Sequence, residues 1–286
     1  MLELISAAIA LIGSTLAGVW DLKTTEIPDD IPDVMIILGL TIAFIESVFS
    51  SNYSFLLNSV IYGVGFFCFG FLMYYLGQWG GGDAKILSAV GFLLPFSPIP
   101  NNYLFPFPIS FLFNVFIIGA IYMLIYAFAF ALMNRKIVSK FIKDIKGSQK
   151  ILSIGSVVLL ISFFALNWFF SAYLLNEQNI LPIIYNSFLL FFASISLFLL
   201  FKFARAVENF GFKMKISISK LKVGDVLLDS KLFEGITEKE LKKIKSSGKK
   251  YVWIKEGVRF GLAFPLALIF TLFFGDSIIF LIKFFV

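Results

Sequence analysis

Apolar runs long enough to cross a lipid bilayer recur along the chain, and they constrain its fold more than any single motif. About 20 predominantly apolar residues cross the roughly 30 Å hydrocarbon layer as a helix. Eight such runs are read here: 2–20, 33–49, 54–77, 84–98, 107–132, 151–174, 181–203 and 260–284. The fourth is the weakest, being short and ending among Pro95, Pro98 and Pro100. Hydrocarbon offers no water to unpaired N–H and C=O groups, so each run is expected to be helical. The expected fold is an all-α membrane protein of about eight transmembrane helices, with a small α+β insert before the last. Residues 1–20 lack the basic start of a secretory signal and carry Glu3, so a retained first helix is expected.

Basic residues in short loops set the orientation. With eight spans, one side receives 21–32, 78–83, 133–150 and 204–259, and the other 50–53, 99–106 and 175–180. The first set holds Lys23 and the cluster Arg135, Lys136, Lys140, Lys143, Lys146 and Lys150; the second holds no Lys or Arg. The first side is therefore read as cytoplasmic, with both termini outside. The net charge of +6 largely reflects this bias. It suits an anionic lipid surface and gives no reason to expect nucleic acid as a partner. Cys68 is the lone cysteine, inside the third span, and histidine is absent, so no disulfide, metal site or cofactor is expected.

Composition turns polar at residue 204 and reverts near 259. This divides the chain into 1–203 with seven spans, a cytoplasmic insert at 204–259, and a final helix at 260–286. Within the insert, short β-like runs lie at 214–219, 224–228 and 251–254. Thr237-Glu238-Lys239-Glu240 has the capping-box form and opens a Lys-rich helix to about Lys245. About 50 residues make a marginal core, so the insert is expected to lean on the membrane part.

Two carboxylates stand at helix ends on the cytoplasmic side: Asp21 after the first span, and Asp83 in Gly80-Gly81-Gly82-Asp83 before the fourth. Charges at such positions are costly and mark functional sites. Two carboxylates and a water hydrolyse a peptide bond, one taking the water's proton while the other, protonated, donates to the carbonyl oxygen. Like charges a few ångströms apart do not both ionise readily, so the pair shares one proton and titrates as a unit. Three glycines leave the backbone beside Asp83 bare for close approach. Taken alone, the same residues also read as solvated loop acids and a flexible turn.

The context of Asp21 makes the pattern specific. Asp21-Leu22-Lys23-Thr24-Thr25-Glu26-Ile27-Pro28-Asp29, followed by Gly80-Gly81-Gly82-Asp83-Ala84-Lys85 at the head of the fourth span, resembles the type IV prepilin peptidases. These are GxGD membrane aspartic peptidases, among which the archaeal prearchaellin (preflagellin) enzymes fall. The resemblance covers residues 10–95 and extends to Gly257-Val258-Arg259-Phe260-Gly261-Leu262-Ala263-Phe264-Pro265. It implies that Asp21 and Asp83 are the catalytic pair, that Gly80 and Gly82 are the fixed glycines with Gly81 variable, and that 1–203 is a membrane peptidase domain. It implies substrates with a short basic leader before a hydrophobic helix, cut at the cytoplasmic face, and leaves oligomeric state open. Paired cysteines of the larger bacterial, N-methylating members are missing, so peptidase activity without methyl transfer is expected. The late insert points to the archaeal branch. Lys85, two residues past Asp83, is expected to meet a headgroup or neighbouring loop rather than the pair.

Glu26, Asp29, Asp30 and Asp33 face only Lys23 in their loop. They read equally as an attractor for a basic leader and as ordinary caps of the second span. Asn58, Asn114 and Asn167 are expected to bond between helices, and Glu46 and Asp276 to lie at the outer interface. Alternatives from other classes are a cation- or proton-coupled transporter, a presenilin-type intramembrane protease, and a non-enzymatic assembly factor. Midplane carboxylates on broken helices would mark the first, and carboxylates deep within spans the second.

Overall fold

The computed structural model describes residues 2–100, 103–174, 179–228, 235–247, 250–255 and 257–279. In chain order they form α1 (Leu2–Thr24), α2 (Asp30–Phe49), α3 (Ser54–Tyr75), α4 (Gly81–Leu93), α5 (Phe107–Met133), α6 (Arg135–Gly147), α7 (Gln149–Phe169), α8 (Ile180–Val207), β1 (Lys213–Ser217), β2 (Val226–Leu227), α9 (Glu238–Lys245), β3 (Tyr251–Lys255) and α10 (Ala263–Phe274). The protein is a multi-pass, all-α membrane protein with a small α+β insert.

Among the described residues, six helices are long and apolar enough to cross a membrane: α1, α2, α3, α5, α7 and α8. The runs expected as the fourth and eighth spans are helical but short. The α4 helix has 13 residues and α10 has 12, or roughly 20 and 18 Å at 1.5 Å per residue. Proline ends the first: Leu94, before Pro95, leaves helical geometry at φ −127° and ψ 64°. Gly275 ends the second at φ 76°, a left-handed conformation that glycine adopts without a Cβ penalty. The end of the expected last span, from residue 280, lies outside the described residues.

Two compact units are formed, one by the described residues of 1–126 and 214–286, the other by those of 127–213. In the first, α4 is the core. Ile86, Leu87 and Ala89 are fully buried, and α4 packs against α1, α2 and α3. The α3 helix meets it with a stripe of Ser59, Gly63, Phe66 and Gly70. A Cβ on Gly63 would lie 2.4 Å from the Phe92 ring, and one on Gly70 2.7 Å from Ala84 Cα. Ser59 and Ser88 seal the contact, Ser59 Oγ donating to the Phe92 carbonyl at 2.6 Å and Ser88 Oγ to that of Gly63 at 2.8 Å. Small residues and hydroxyls of this kind drive helix association where lipid gives no hydrophobic incentive.

Asn114 of α5 bonds across to the last helix, donating to Thr271 Oγ1 and the Gly275 carbonyl, both at 2.8 Å. Asn167 of α7 likewise donates to Ser187 Oγ of α8 at 3.1 Å. Asn58 instead donates to Ser54 of its own helix. Asp276 is 1% exposed, and its carboxylate accepts the backbone N–H of Leu104, in the loop read as lying on the outer side.

In the second unit α6 is an amphipathic helix. Ile137 is buried, while Arg135, Lys136, Lys140, Lys143 and Lys146 are exposed. The insert is a three-stranded sheet of order β1-β3-β2, with β2 antiparallel to β3. Its core is Leu221, Ile236 and Ile254. The capping box forms as read, with Thr237 N–H donating to Glu240 Oε2 at 2.8 Å and Glu240 N–H to Thr237 Oγ1 at 3.4 Å. From Met214 onward the insert belongs to the unit that contains α1–α4. A Cβ on Gly257 would lie 3.4 Å from Thr25, just past α1.

Gly63→Leu and Gly70→Leu should each destabilise the protein by about 1–3 kcal/mol through overpacking against α4. Gly65→Leu on the same helix should be near neutral, since a Cβ there meets nothing within 4 Å. Thermal unfolding in detergent distinguishes them.

Candidate active site

Asp21 is carried inward by small residues. The buried stripe of α1 runs Ala7, Ala10, Gly13 and Ser14, Ala17 and Gly18, then Asp21, at three- to four-residue spacing. The last turn thus delivers a carboxylate to the face that packs against α4 and α10. Asp21 is 5% exposed. Its Oδ2 accepts the backbone N–H of Gly261 at 2.8 Å. Four residues on, Thr25 adopts φ 62°, a strained left-handed conformation for a β-branched residue, and the chain leaves the helix there.

Asp83 is the third residue of α4, a position where the helix's free N–H groups and dipole favour a carboxylate. Its Oδ2 accepts the Gly80 N–H at 3.0 Å. Trp79 anchors the preceding turn. It is buried against the rings of Phe69, Phe116, Phe260 and Phe264, with centroids 5.7 to 6.0 Å away.

The three glycines differ in their surroundings. A Cβ on Gly82 would lie 2.6 Å from Ile27 Cβ, so Ile27 packs directly on its backbone. Gly80 is extended at φ −76° and ψ 160°, and a Cβ there would make only an ordinary 3.4 Å contact with Asp83. Gly81 meets nothing within 4 Å. The close approach of Gly82 and Ile27 ties the two sequence motifs together.

Both aspartates line one cavity of about 700 Å³. Thr25, Glu26 and Ile27 line it from the α1–α2 loop, Trp79 and Gly80–Gly82 from the α3–α4 turn, and Met123 from α5. The insert supplies a wall that composition did not reveal: Met214, Gly224, Asp225, Val226, Ile254 and Lys255, continued by Gly257, Val258 and Phe260.

The acidic loop divides. Glu26 lines the cavity; Asp29, Asp30 and Asp33 do not. Lys85 Nζ lies 2.9 Å from Asp29 and 3.7 Å from Asp33, so these two bind α4 to the start of α2. Lys85 meets the neighbouring loop, as its offset from Asp83 requires. Among the described residues, no three His, Cys, Asp or Glu side chains converge as a metal site. Buried carboxylates with water access and glycine backbone between them can perform acid–base chemistry on a polypeptide.

The sequence profile of the type IV leader peptidase family matches residues 8–124. This part of the chain is thus similar to that family. The match includes Asp21, Asp83 and Gly80–Gly82 and stops before the insert. The chain is also similar to a prepilin peptidase of Methanothermobacter thermautotrophicus, at 29% identity over 48% of this chain and 38% of the relative. It is similar to preflagellin peptidases of Methanococcus maripaludis, at 33% over 47% of this chain and 59% of the relative, and of Methanocaldococcus jannaschii, at 32% over 39% and 51%. It thus spans between 38% and 59% of these relatives' own lengths. Within the matched segment, Trp79 escaped sequence reasoning because nothing in its spacing separates it from other apolar residues. Arg259 and Gly261 lay inside a stretch already noted, but the contacts of Arg259 with α5 and of Gly261 with α1 are not a sequence signal.

Gly82→Ala should lower any activity of this site at least tenfold, a Cβ forcing Ile27 and the Asp83 turn apart. Gly81→Ala should leave it within about twofold. Ile27→Ala combined with Gly82→Ala should recover part of the loss. Initial rates on a common substrate provide the comparison.

Proposed function

We propose that the protein is a membrane aspartic endopeptidase that removes short basic leader peptides from prepilin- or prearchaellin-like precursors. The observation that carries this reading is the convergence of Asp21 and Asp83 on one cavity walled partly by glycine backbone. The names of the matched relatives agree with it. In the reaction, one carboxylate removes a proton from water as the water oxygen attacks the scissile carbonyl carbon. The other, protonated, donates to the carbonyl oxygen. Collapse of the tetrahedral intermediate breaks the C–N bond: the first carboxyl gives its proton to the leaving amine, and a hydroxyl of the intermediate returns its proton to the second carboxylate as the carbonyl re-forms. The dyad ends as it began, with one shared proton.

With the short α4 and α10 counted as crossing helices, the positive-inside bias puts the loops 21–32, 78–83 and 133–150 in the cytoplasm, and with them the cavity and the insert. Cleavage then occurs at the cytoplasmic face, with both termini on the other side. The insert's wall suits a site that receives an extended polypeptide more than one that passes an ion. Methyl transfer is not part of the proposal, since Cys68 is the chain's one cysteine.

Of the four loop acids, Glu26 is placed to meet a basic leader. Asp29 and Asp33 serve α2 and α4 instead, through an exposed ion pair worth about 0–1 kcal/mol. Glu26→Lys should raise KM for a basic-leader precursor about tenfold with kcat within about twofold, whereas Asp30→Lys should change neither appreciably. Steady-state kinetics in detergent separate the two.

Leader removal from prepilin and prearchaellin precursors tests the dyad itself, in membranes carrying the unaltered protein, Asp21→Asn or Asp83→Asn. Each substitution should lower cleavage by about 10²–10⁴-fold at equal protein levels. Cleavage by the unaltered protein should fall at low pH, where both carboxyls are protonated, and at high pH, where both are ionised, in a bell whose limbs belong to the pair. Full activity in either Asn variant would refute the mechanism.

A further inference from the structure

We infer that Arg259 is a positioning residue for the proposed peptidase, pinning the segment 257–261 whose backbone holds Asp21. The inference rests on the reading of Asp21 and Asp83 as the catalytic pair. The segment is the short connection between β3 and α10, and it has no helix or sheet of its own. Its placement depends on what grips it: Phe260 packs on Trp79 and Gly257 lies beside Thr25, while the hydrogen bonds to Arg259 come from one face of α5.

Gly119, Tyr122 and Tyr126 are three, four and seven residues apart and so share a helix face. Each meets this connection. Tyr122 Oη donates to the Arg259 carbonyl at 2.9 Å. The Arg259 guanidinium, through Nη1, donates to Tyr126 Oη at 2.6 Å. Phe260 packs so closely on Gly119 that a Cβ there would lie 2.8 Å from its ring. Two tyrosines thus hold Arg259, one by its backbone and one by its side chain.

Two residues further on, Gly261 N–H reaches Asp21 Oδ2 at 2.8 Å. The approach is as close as glycine allows. A Cβ on Gly261 would lie 2.9 Å from Asp21 Cβ and 3.1 Å from Gly18 Cα. A small displacement of the segment therefore moves or removes the amide that orients the carboxylate. A charge-assisted hydrogen bond of this kind is directional, and catalytic rates fall steeply with displacements of about 1 Å.

The test is single-turnover and steady-state cleavage of a basic-leader prepilin-type precursor by the full chain in membranes. The variants are Arg259→Gln, Arg259→Lys, Tyr126→Phe and the Arg259→Gln/Tyr126→Phe double, with Asp21→Asn alongside. Arg259→Gln should lower kcat about tenfold or more and Tyr126→Phe several-fold, both with KM within about twofold. The double should be no slower than the worse single, because both break one link. Arg259→Lys, which keeps a cationic donor, should recover part of the rate. Tyr126→Phe deletes a single hydroxyl and keeps the test decisive if Arg259→Gln lowers protein levels. Wild-type rates in both singles beside an inactive Asp21→Asn would overturn the role of Arg259 while leaving the dyad standing. A raised KM with unchanged kcat, or losses that multiply in the double, would also overturn it. Full activity in Asp21→Asn would remove the dyad reading and this role together.

Discussion

A carboxylate withdrawn from water must be given hydrogen-bond donors, and the arrangement of the first unit follows from that requirement twice over. Leaving a buried polar group unpaired costs on the order of several kcal/mol. Asp21 and Asp83 each receive one donor, and in both cases it is a glycine amide. A glycine at such a point brings backbone to the carboxylate without a side chain filling the space a substrate needs. For Asp83 the donor is local, in the turn that opens α4. For Asp21 it comes from the segment before α10, so the first and last described helices of the chain are bound to one another through the site.

The short α4 helix makes this geometry rigid. Gly63 and Gly70 let α3 lie directly on it, serine hydroxyls bond across the contact, and Lys85 links its first turn to α2. Asp83 is thereby fixed on the most enclosed helix of the unit, while Trp79 packs the preceding turn into an aromatic cluster. The Ile27–Gly82 contact then sets the α1–α2 loop against the Asp83 turn. The spacing between the two aspartates is a product of this packing and not of either motif alone.

Much of the fold was legible in the sequence, since hydropathy reports helices that face lipid. Each of the eight apolar runs contains a helix, and the insert's capping box and strands lie within a few residues of their expected places. The lengths of α4 and α10 were misread because hydropathy counts apolar residues, whereas Pro95 and Gly275 stop helices regardless of polarity. The burial of Asp276 against the Leu104 amide was not readable from its position near the end of a span. At the site, the insert's wall of the cavity and the Arg259–Tyr126 link were invisible, being contacts between residues far apart in the chain. Periodicity carries no record of those. The acidic loop looked uniform in composition, and only the position of Lys85 separates Asp29 and Asp33 from Glu26.

The bond between Gly261 and Asp21 joins residues 240 positions apart. During synthesis, α1 through α4 are made and can pack while Gly261 is still to be added. The nascent membrane protein therefore carries both aspartates through the synthesis of residues 84–260 without the amide that orients one of them. Contacts of such separation close late and at an entropic cost. The order of assembly thus delays the completed site until Gly261 has been added, long after the helices that carry both aspartates have been made.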